Sequence, residues 1–292
     1  LGYIFPSPSL TKMSLATLPD LCLLAIFEHL PLRELDHMCD VCSAWCSLKK
    51  YTIQKKKHLK IQLSTDSPPS KELNTLVLDE FTSDYAKVLV DSFKGITSLE
   101  VQYENPYLGV HQVISLLSGP WRSKLTSLKL SSRHYDFCPP LYQAVNTMPA
   151  LKRLSIDNLP ERFATHCELT VLGQLEEFRF GSCAIIVLDQ LIKYAQPNAS
   201  LRRIVIDHSL GFDSASRVCQ RLVESVEPAF ASKFTSLFDS YHPSLELSVW
   251  RPFYAHFRHL TVTSIELRNS QSLSELFKLL VPLKHLKQLN LY

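Results

Sequence analysis

Leu125-Thr126-Ser127-Leu128-Lys129-Leu130 and Leu151-Lys152-Arg153-Leu154-Ser155-Ile156 share one arrangement, apolar-x-x-apolar-x-apolar. It lies upstream at Leu73-x-x-Leu76-x-Leu78 and Ile96-x-x-Leu99-x-Val101, and downstream at Leu175-x-x-Phe178-x-Phe180 and Leu201-x-x-Ile204-x-Ile206. Successive units begin 23, 29, 26, 24 and 26 residues apart. The arrangement returns at Phe257-x-x-Leu260-x-Val262 and Leu286-x-x-Leu289-x-Leu291. Leu201 and Phe257 are 56 residues apart, room for a disguised unit near Phe234-x-x-Leu237. A recurrence at about 20–29 residues marks a stacked repeat whose units bury their apolar faces on one another.

Within each unit the two alternating apolar residues point to one face of a short strand, and the residues between them to the other. The intervening stretches Asp84–Phe93, His111–Leu117, Leu141–Thr147, Ile185–Ala195, Ser216–Val226 and Leu273–Leu280 read as helices. One strand and one helix per unit predicts an α/β solenoid, with parallel strands on the concave face and helices on the convex face. The pattern resembles an irregular leucine-rich repeat array over residues 71–292, about eight or nine units. The Asn typical of that repeat is missing from most units, and Cys183 stands where the cysteine variant places its Cys. A single α/β domain is the weaker alternative, because it leaves the fixed strand pattern unexplained.

The concave positions are expected to be Ser127 and Lys129, Arg153, Ser155 and Asp157, Glu177 and Arg179, Arg203 and Asp207, and His259 and Thr261. One column then holds Arg153, Glu177 and Arg203; its neighbour holds Lys129, Ser155 and Arg179. Lys129, Arg153, Glu177, Arg179 and Arg203 are the candidate substrate-binding residues. The face mixes signs but leans basic, which suits an acidic or phosphorylated protein segment. The competing reading is a solvated strand surface with its charges paired across the ladder.

The N-terminal stretch differs. Pro19 and Asp20 suit a helix start, Leu21 to Leu30 is apolar nearly all round, and Pro31 stops it. Leu32 to Met38 reads as a second helix and Cys39 to Lys50 as a third. Leu23, Ile26, Phe27 and Leu30 form one stripe of the first helix; Leu21, Leu24 and Ala25 form another. A module of about 35 residues is too small to bury both by itself, so one stripe faces either a partner or the rest of this chain.

Leu18-Pro19-Asp20, Ile26-Phe27, Leu30-Pro31, Leu35, Val41-Cys42 and Trp45 together resemble the F-box pattern over residues 14–50, about one eighth of the chain. The resemblance implies a three-helix module that docks on a Skp-type adaptor and, through it, on a cullin scaffold. Its expected adaptor-binding residues are Leu18, Pro19, Leu23, Ile26, Leu30, Leu35 and Trp45. The usual acidic residue after Leu-Pro is here the shorter Asp20.

Composition sets the remaining bounds. Among 292 residues, 31 are Lys or Arg and 28 Asp or Glu, a net charge of +3, too balanced to argue for nucleic acid or a membrane surface. The 46% apolar and 20% charged residues fit a globular protein. No apolar run approaches the ~18 residues of a membrane span. The 8 cysteines read as reduced, in a cytoplasmic or nuclear protein, which makes the sequon Asn198-Ala199-Ser200 fortuitous. Lys49 to Lys60 carries six lysines and no acid, after a stretch richer in acids. This step reads as the start of a linker over residues 51–70, or as a targeting or phosphate-binding patch around Lys55-Lys56-Lys57. Residues 1–13 read as a disordered or non-native leader, and the end at Leu289-Asn290-Leu291-Tyr292, inside a repeat strand, as an incomplete C-terminus.

Motifs for chemistry are scarce. Cys39-x2-Cys42-x3-Cys46 with His37 could hold zinc, but this is also the spacing of one face of a continuous helix packed in a core. No G-x-S-x-G, H-E-x-x-H or Walker loop occurs, the 11 histidines are scattered, with Tyr241-His242, His256 and His259 the densest group, and Glu176-Glu177, expected on the concave face, have no evident acid/base partner. This scarcity argues against an enzyme and a cofactor, and the resemblance to the F-box implies a substrate-recognition subunit of an SCF-type ubiquitin ligase. Its F-box would hold the adaptor and its repeats a protein target. The alternative is a leucine-rich repeat scaffold or interaction protein without a ligase role.

Overall fold

Alternation of apolar and polar residues becomes strand wherever the repeated arrangement occurs in the described part of the chain. The computed structural model describes residues 18–43, 45–63, 74–78, 83–103, 110–132, 139–157, 168–181, 185–206, 220–237, 244–246, 252, 264–268 and 288–291. Three helices come first: α1 (Asp20–Glu28), α2 (Leu32–Val41) and α3 (Trp45–Lys55). Then follow β1 (His58–Leu63), β2 (Thr75–Leu78), α4 (Ser83–Ser92), β3 (Ser98–Tyr103), α5 (Val110–Ser118), β4 (Ser127–Ser132), α6 (Pro139–Asn146) and β5 (Arg153–Ile156). A 3₁₀ turn at Thr170–Gly173 leads to β6 (Glu177–Phe180), and α7 (Ile185–Gln190) widens into a π-helical turn at Leu191–Ala195. After β7 (Arg203–Ile206) come helical residues 220–225, α8 (Pro228–Ala231), β8 (Phe234–Leu237), β9 (Ser244–Glu246), β10 (Ser264–Arg268) and β11 (Gln288–Leu291).

Strands β1–β8 form one sheet in the order β2-β1-β3-β4-β5-β6-β7-β8, and β9–β11 form another in the order β11-β10-β9. Every described pairing is parallel. Parallel neighbours need crossover connections, and helices or 3₁₀ turns supply them between β3 and β7. The chain is thus α/β, with parallel sheets and helical crossovers.

Register explains why the arrangement repeats. Leu59, Leu99, Leu128, Leu154, Phe178 and Ile204 stand opposite one another across successive strands, and so do Ile61, Val101, Leu130, Ile156, Phe180 and Ile206. Both rows are buried. The first apolar position of each unit, at Ile96, Leu125, Leu151, Leu175 and Leu201, is buried in the turn before the strand. One carbonyl at each turn accepts two N–H groups from the next layer. Lys57 O takes Thr97 and Ser98, Thr97 O takes Thr126 and Ser127, Thr126 O takes Lys152 and Arg153, Lys152 O takes Glu176 and Glu177, and Glu176 O takes Arg202 and Arg203.

Amide side chains join the layers on the crossover side. Asn146 Nδ2 donates to Glu168 O (2.6 Å) while its Oδ1 accepts from Val171 N (3.1 Å). Asn198 Nδ2 donates to Leu172 O (3.1 Å) and Leu175 O (2.9 Å), and its Oδ1 accepts from Ser200 N (2.9 Å). Gln174 donates to Met148 O and Gln190 accepts from Leu169 N. These groups answer main-chain donors and acceptors that burial would otherwise leave unpaired.

Three expectations are corrected. First, residues 51–70 are not simply a linker: α3 runs to Lys55, and β1 takes up 58–63 between β2 and β3. Lysines hid the alternation of Leu59, Ile61 and Leu63, all buried, with His58, Lys60 and Gln62. Second, Cys39, Cys42 and Cys46 do not share one helix. Cys39 ends in α2, Cys42 is extended (φ −152°), and Cys46 starts in α3. Third, Glu176 lies in the turn before β6, where it pairs with Lys152 (2.8 Å). The disguised unit near Phe234 is strand β8, joined to β7 through a register shift between Ile204 and Val205. The expected strand at 257–262, the expected helix at 273–280 and Cys183 lie outside the described residues.

Candidate functional site

Helix α1 divides its apolar residues between inside and outside. Leu23 and Phe27 are buried, and Phe27 meets Trp45 edge to face at 5.8 Å between ring centroids. Leu32 and Leu35 complete this inner cluster, with Leu18, Leu30, Met38, Cys42 and Leu48 packed around it. Leu21 is 79% exposed and Ile26 37%. Pro19, Cys22 and Ala25 are exposed beside them. So large an apolar exposure along one short helix is the kind of surface a partner covers.

Of the seven residues expected to bind an adaptor, Pro19 and Ile26 are at the surface, and Leu18 and Leu30 are half-buried. Leu23, Leu35 and Trp45 are spent on the chain's own core, since three short helices have few other side chains with which to fill it. Leu21, Cys22 and Ala25 are the surface residues absent from that set. Leu21 and Ala25 belong to the second stripe of the helix, the signal by which they can be found.

The second region is the strand face opposite the core. Parallel register sets His58, Ser98, Ser127, Arg153, Glu177 and Arg203 in one row, and Lys60, Glu100, Lys129, Ser155 and Arg179 in the next. All five candidate substrate-binding residues therefore share this face, in the two columns expected. Four of them, Lys129, Arg153, Glu177 and Arg179, line a groove of about 240 Å³ together with His58, Ser98, Glu100, Ser127 and Ser155. Arg203 lies beyond it. His58, Ser98 and Glu100 escape the sequence reading, His58 because its strand lay inside the supposed linker. Asp207, His259 and Thr261 lie outside the described residues.

Charge on this face is partly neutralised. Lys129 Nζ stands 3.1 Å from Glu100 Oε1, and Arg203 Nη1 3.0 Å from Glu177 Oε1. His58 Nδ1 shares a hydrogen bond of 2.9 Å with Ser98 Oγ. Beyond β5, Ser131 Oγ donates to the Asp157 carboxylate. The Arg153 guanidinium makes no hydrogen bond or ion pair among the described residues. In the turn beside it, the Lys152 ammonium, through its hydrogen bond, holds Glu176 below the usual carboxylate range, with weaker help from Arg202 and Arg153.

Among the described residues no group of His, Cys, Asp or Glu is arranged to hold a metal, and no helix is long and apolar enough to cross a membrane. Compared with known proteins, the chain matches no family model and no curated sequence.

Proposed function

We propose that this chain is a substrate-recognition subunit of an SCF-type cullin–RING ubiquitin ligase. In this reading α1–α3 form an F-box that binds a Skp-type adaptor, and the parallel-strand array is a leucine-rich repeat region that binds the protein to be ubiquitinated. The observation that carries it is the exposure of Leu21 and Ile26 on α1, in the segment whose Leu-Pro, Ile-Phe and Val-Cys-x-x-Trp residues resemble the F-box. An apolar helix face left open by its own core needs a partner groove to cover it. The strand face, with polar and charged side chains in register, offers a separate surface for a target. The subunit does no chemistry; it contributes proximity and orientation of the target toward the ubiquitin-carrying enzyme.

Co-purification of the chain with a Skp-type adaptor and cullin tests this. The unaltered chain should retain both, and Leu18→Ala combined with Pro19→Ala should lose them while the sheet stays folded. Failure of the unaltered chain to capture adaptor, or undiminished capture by the double variant, rejects the F-box reading.

A further inference from the structure

We propose that the basic rim at the starts of the strands binds an extended run of Asp and Glu in a partner protein. The rim is separate from the strand face, and the proposal goes beyond the ligase reading: it needs neither an adaptor nor a target in the groove. The turns that precede the strands stack directly on one another. Lys57 O accepts from Thr97 N, Thr97 O from Thr126 N, Thr126 O from Lys152 N, Lys152 O from Glu176 N and Glu176 O from Arg202 N. Neighbouring parallel strands lie about 4.8 Å apart, so whatever these turns expose recurs at that interval.

What they expose is positive charge. The turn before β1 carries Lys57, that before β3 Lys94, that before β4 Arg122 and Lys124, and that before β5 Lys152, all of them exposed. Among the described residues of these turns and those before β6, β7 and β8, Glu176 is the one acid, and Lys152 already holds it at 2.8 Å. The ammonium groups of Lys57, Lys94 and Lys124 make no ion pair among the described residues. Arg122 spends its Nε on Thr147 O (2.6 Å), which lays the guanidinium across to the turn before β5. Thr97 and Thr126 give their hydroxyls to the main-chain oxygens of the layer before, Lys57 O and Thr97 O. Lysine and arginine are therefore the groups the rim offers to a partner.

The length and make-up of the ridge select the partner. From β1 to β5 is three strand spacings, roughly 14 Å, the reach of about four residues of extended chain. A run of carboxylates laid along it meets at least one cation in every layer, a complementarity of charge that a single anion would leave mostly unused. A single nucleic-acid strand brings similar charge, but it is held by aromatic side chains on which its bases stack. Phe93 and Trp121, the aromatic residues of these turns, are buried in the core. The net charge of +3 conceals the ridge, because acids are placed elsewhere. On the crossover side Glu168 and Asp189 pair with Lys193 and Arg221.

Fluorescence anisotropy of labelled probes titrated with the 292-residue chain tests this without any adaptor, so its failure is distinct from failure of the ligase reading. The probes are a peptide with a run of Glu between Gly and Ser residues, its Gln counterpart, an oligothymidylate and a DNA duplex of mixed sequence. The Glu peptide should bind, more weakly as salt rises, and the Gln peptide should not. Lys94→Gln with Lys124→Gln should weaken binding about fivefold, and adding Lys57→Gln should bring the loss to about tenfold. All three side chains are at the surface, so the unfolding midpoint should stay where it is. Lys193→Gln with Arg221→Gln removes two positive charges from the crossover side and should change binding little. An equal loss in that pair overturns the proposal, because net charge alone would then explain the binding. So does a Glu peptide that fails to bind, a Gln peptide that binds as well, or undiminished binding by the triple variant. Tighter binding of either oligonucleotide than of the Glu peptide, lost in the triple variant, also overturns it and makes the rim a nucleic-acid surface.

Discussion

Lys56 donates from Nζ to the main-chain oxygen of Glu28 across 3.3 Å, tying the end of α3 to the end of α1 just before the chain enters β1. Partial burial lowers its pKa, and the nearby Glu28 carboxylate opposes that shift. Because the folded value lies below the unfolded one, the unfolded chain holds this proton more tightly. Stability should rise as pH climbs through the folded value toward the ordinary lysine range. Chemical denaturation at several alkaline pH values should show this rise in the unaltered chain and a shallower one in Lys56→Met. The effect is small, because much of the side chain still meets solvent.

Gly95 brings the turn after α4 close against the main chain at the end of α3. A Cβ there would overlap the Gln54 carbonyl oxygen and lie 3.2 Å from that of Lys56. Backbone cannot yield as a side chain can, so Gly95→Ala should destabilise the fold by about 1–3 kcal/mol. A midpoint of thermal unfolding equal to that of the unaltered chain would contradict this contact.

Asn198 is buried, and its amide serves two carbonyls of the preceding layer. Asn198→Ala should cost about 1–3 kcal/mol, because Leu172 O and Leu175 O lose a buried donor. The same burial bears on the sequon Asn198-Ala199-Ser200. Expressed through a secretory route, the folded chain should carry no glycan at Asn198, which a mass measurement would check.

The two classes of residue on α1 and α2 should separate cleanly. Leu21→Asp with Ile26→Asp should leave stability within about 0.5 kcal/mol per site, since both side chains are at the surface. Leu35→Ala, at a fully buried position, should cost about 2–5 kcal/mol. Under the proposed function only the Asp pair removes adaptor binding without lowering the unfolding midpoint. Loss of stability in the Asp pair would show that this face packs on the chain itself.

The apolar-x-x-apolar-x-apolar spacing was enough to place β3 to β7 and their register, because a parallel strand buried on one face must show its period in the sequence. It also placed Arg153, Glu177 and Arg203 in one column. Strand β1 is less legible: its lysine and histidine face the open side, and the surrounding charge run masks the alternation of Leu59, Ile61 and Leu63. The amide ladder through Asn146 and Asn198 was invisible for a different reason. Those side chains answer carbonyls and N–H groups more than twenty residues away, and no local spacing records such a pairing. On α1, periodicity groups Leu23 with Ile26 on one stripe, whereas in the structure Leu23 is buried and Ile26 is at the surface.

The order β2-β1-β3 has a practical consequence for anyone who would cut the molecule in two. A truncation beginning at residue 71 would withdraw the strand that both β2 and β3 pair with, leaving two ladders open at once. Removing Ser14–Lys50 would sever α3 within its eleven residues and leave a stump of helix joined to the sheet. The usable boundary is the two-residue step Lys56-Lys57 between α3 and β1. Even there the Lys57 carbonyl must be kept, because Thr97 and Ser98 both hang from it.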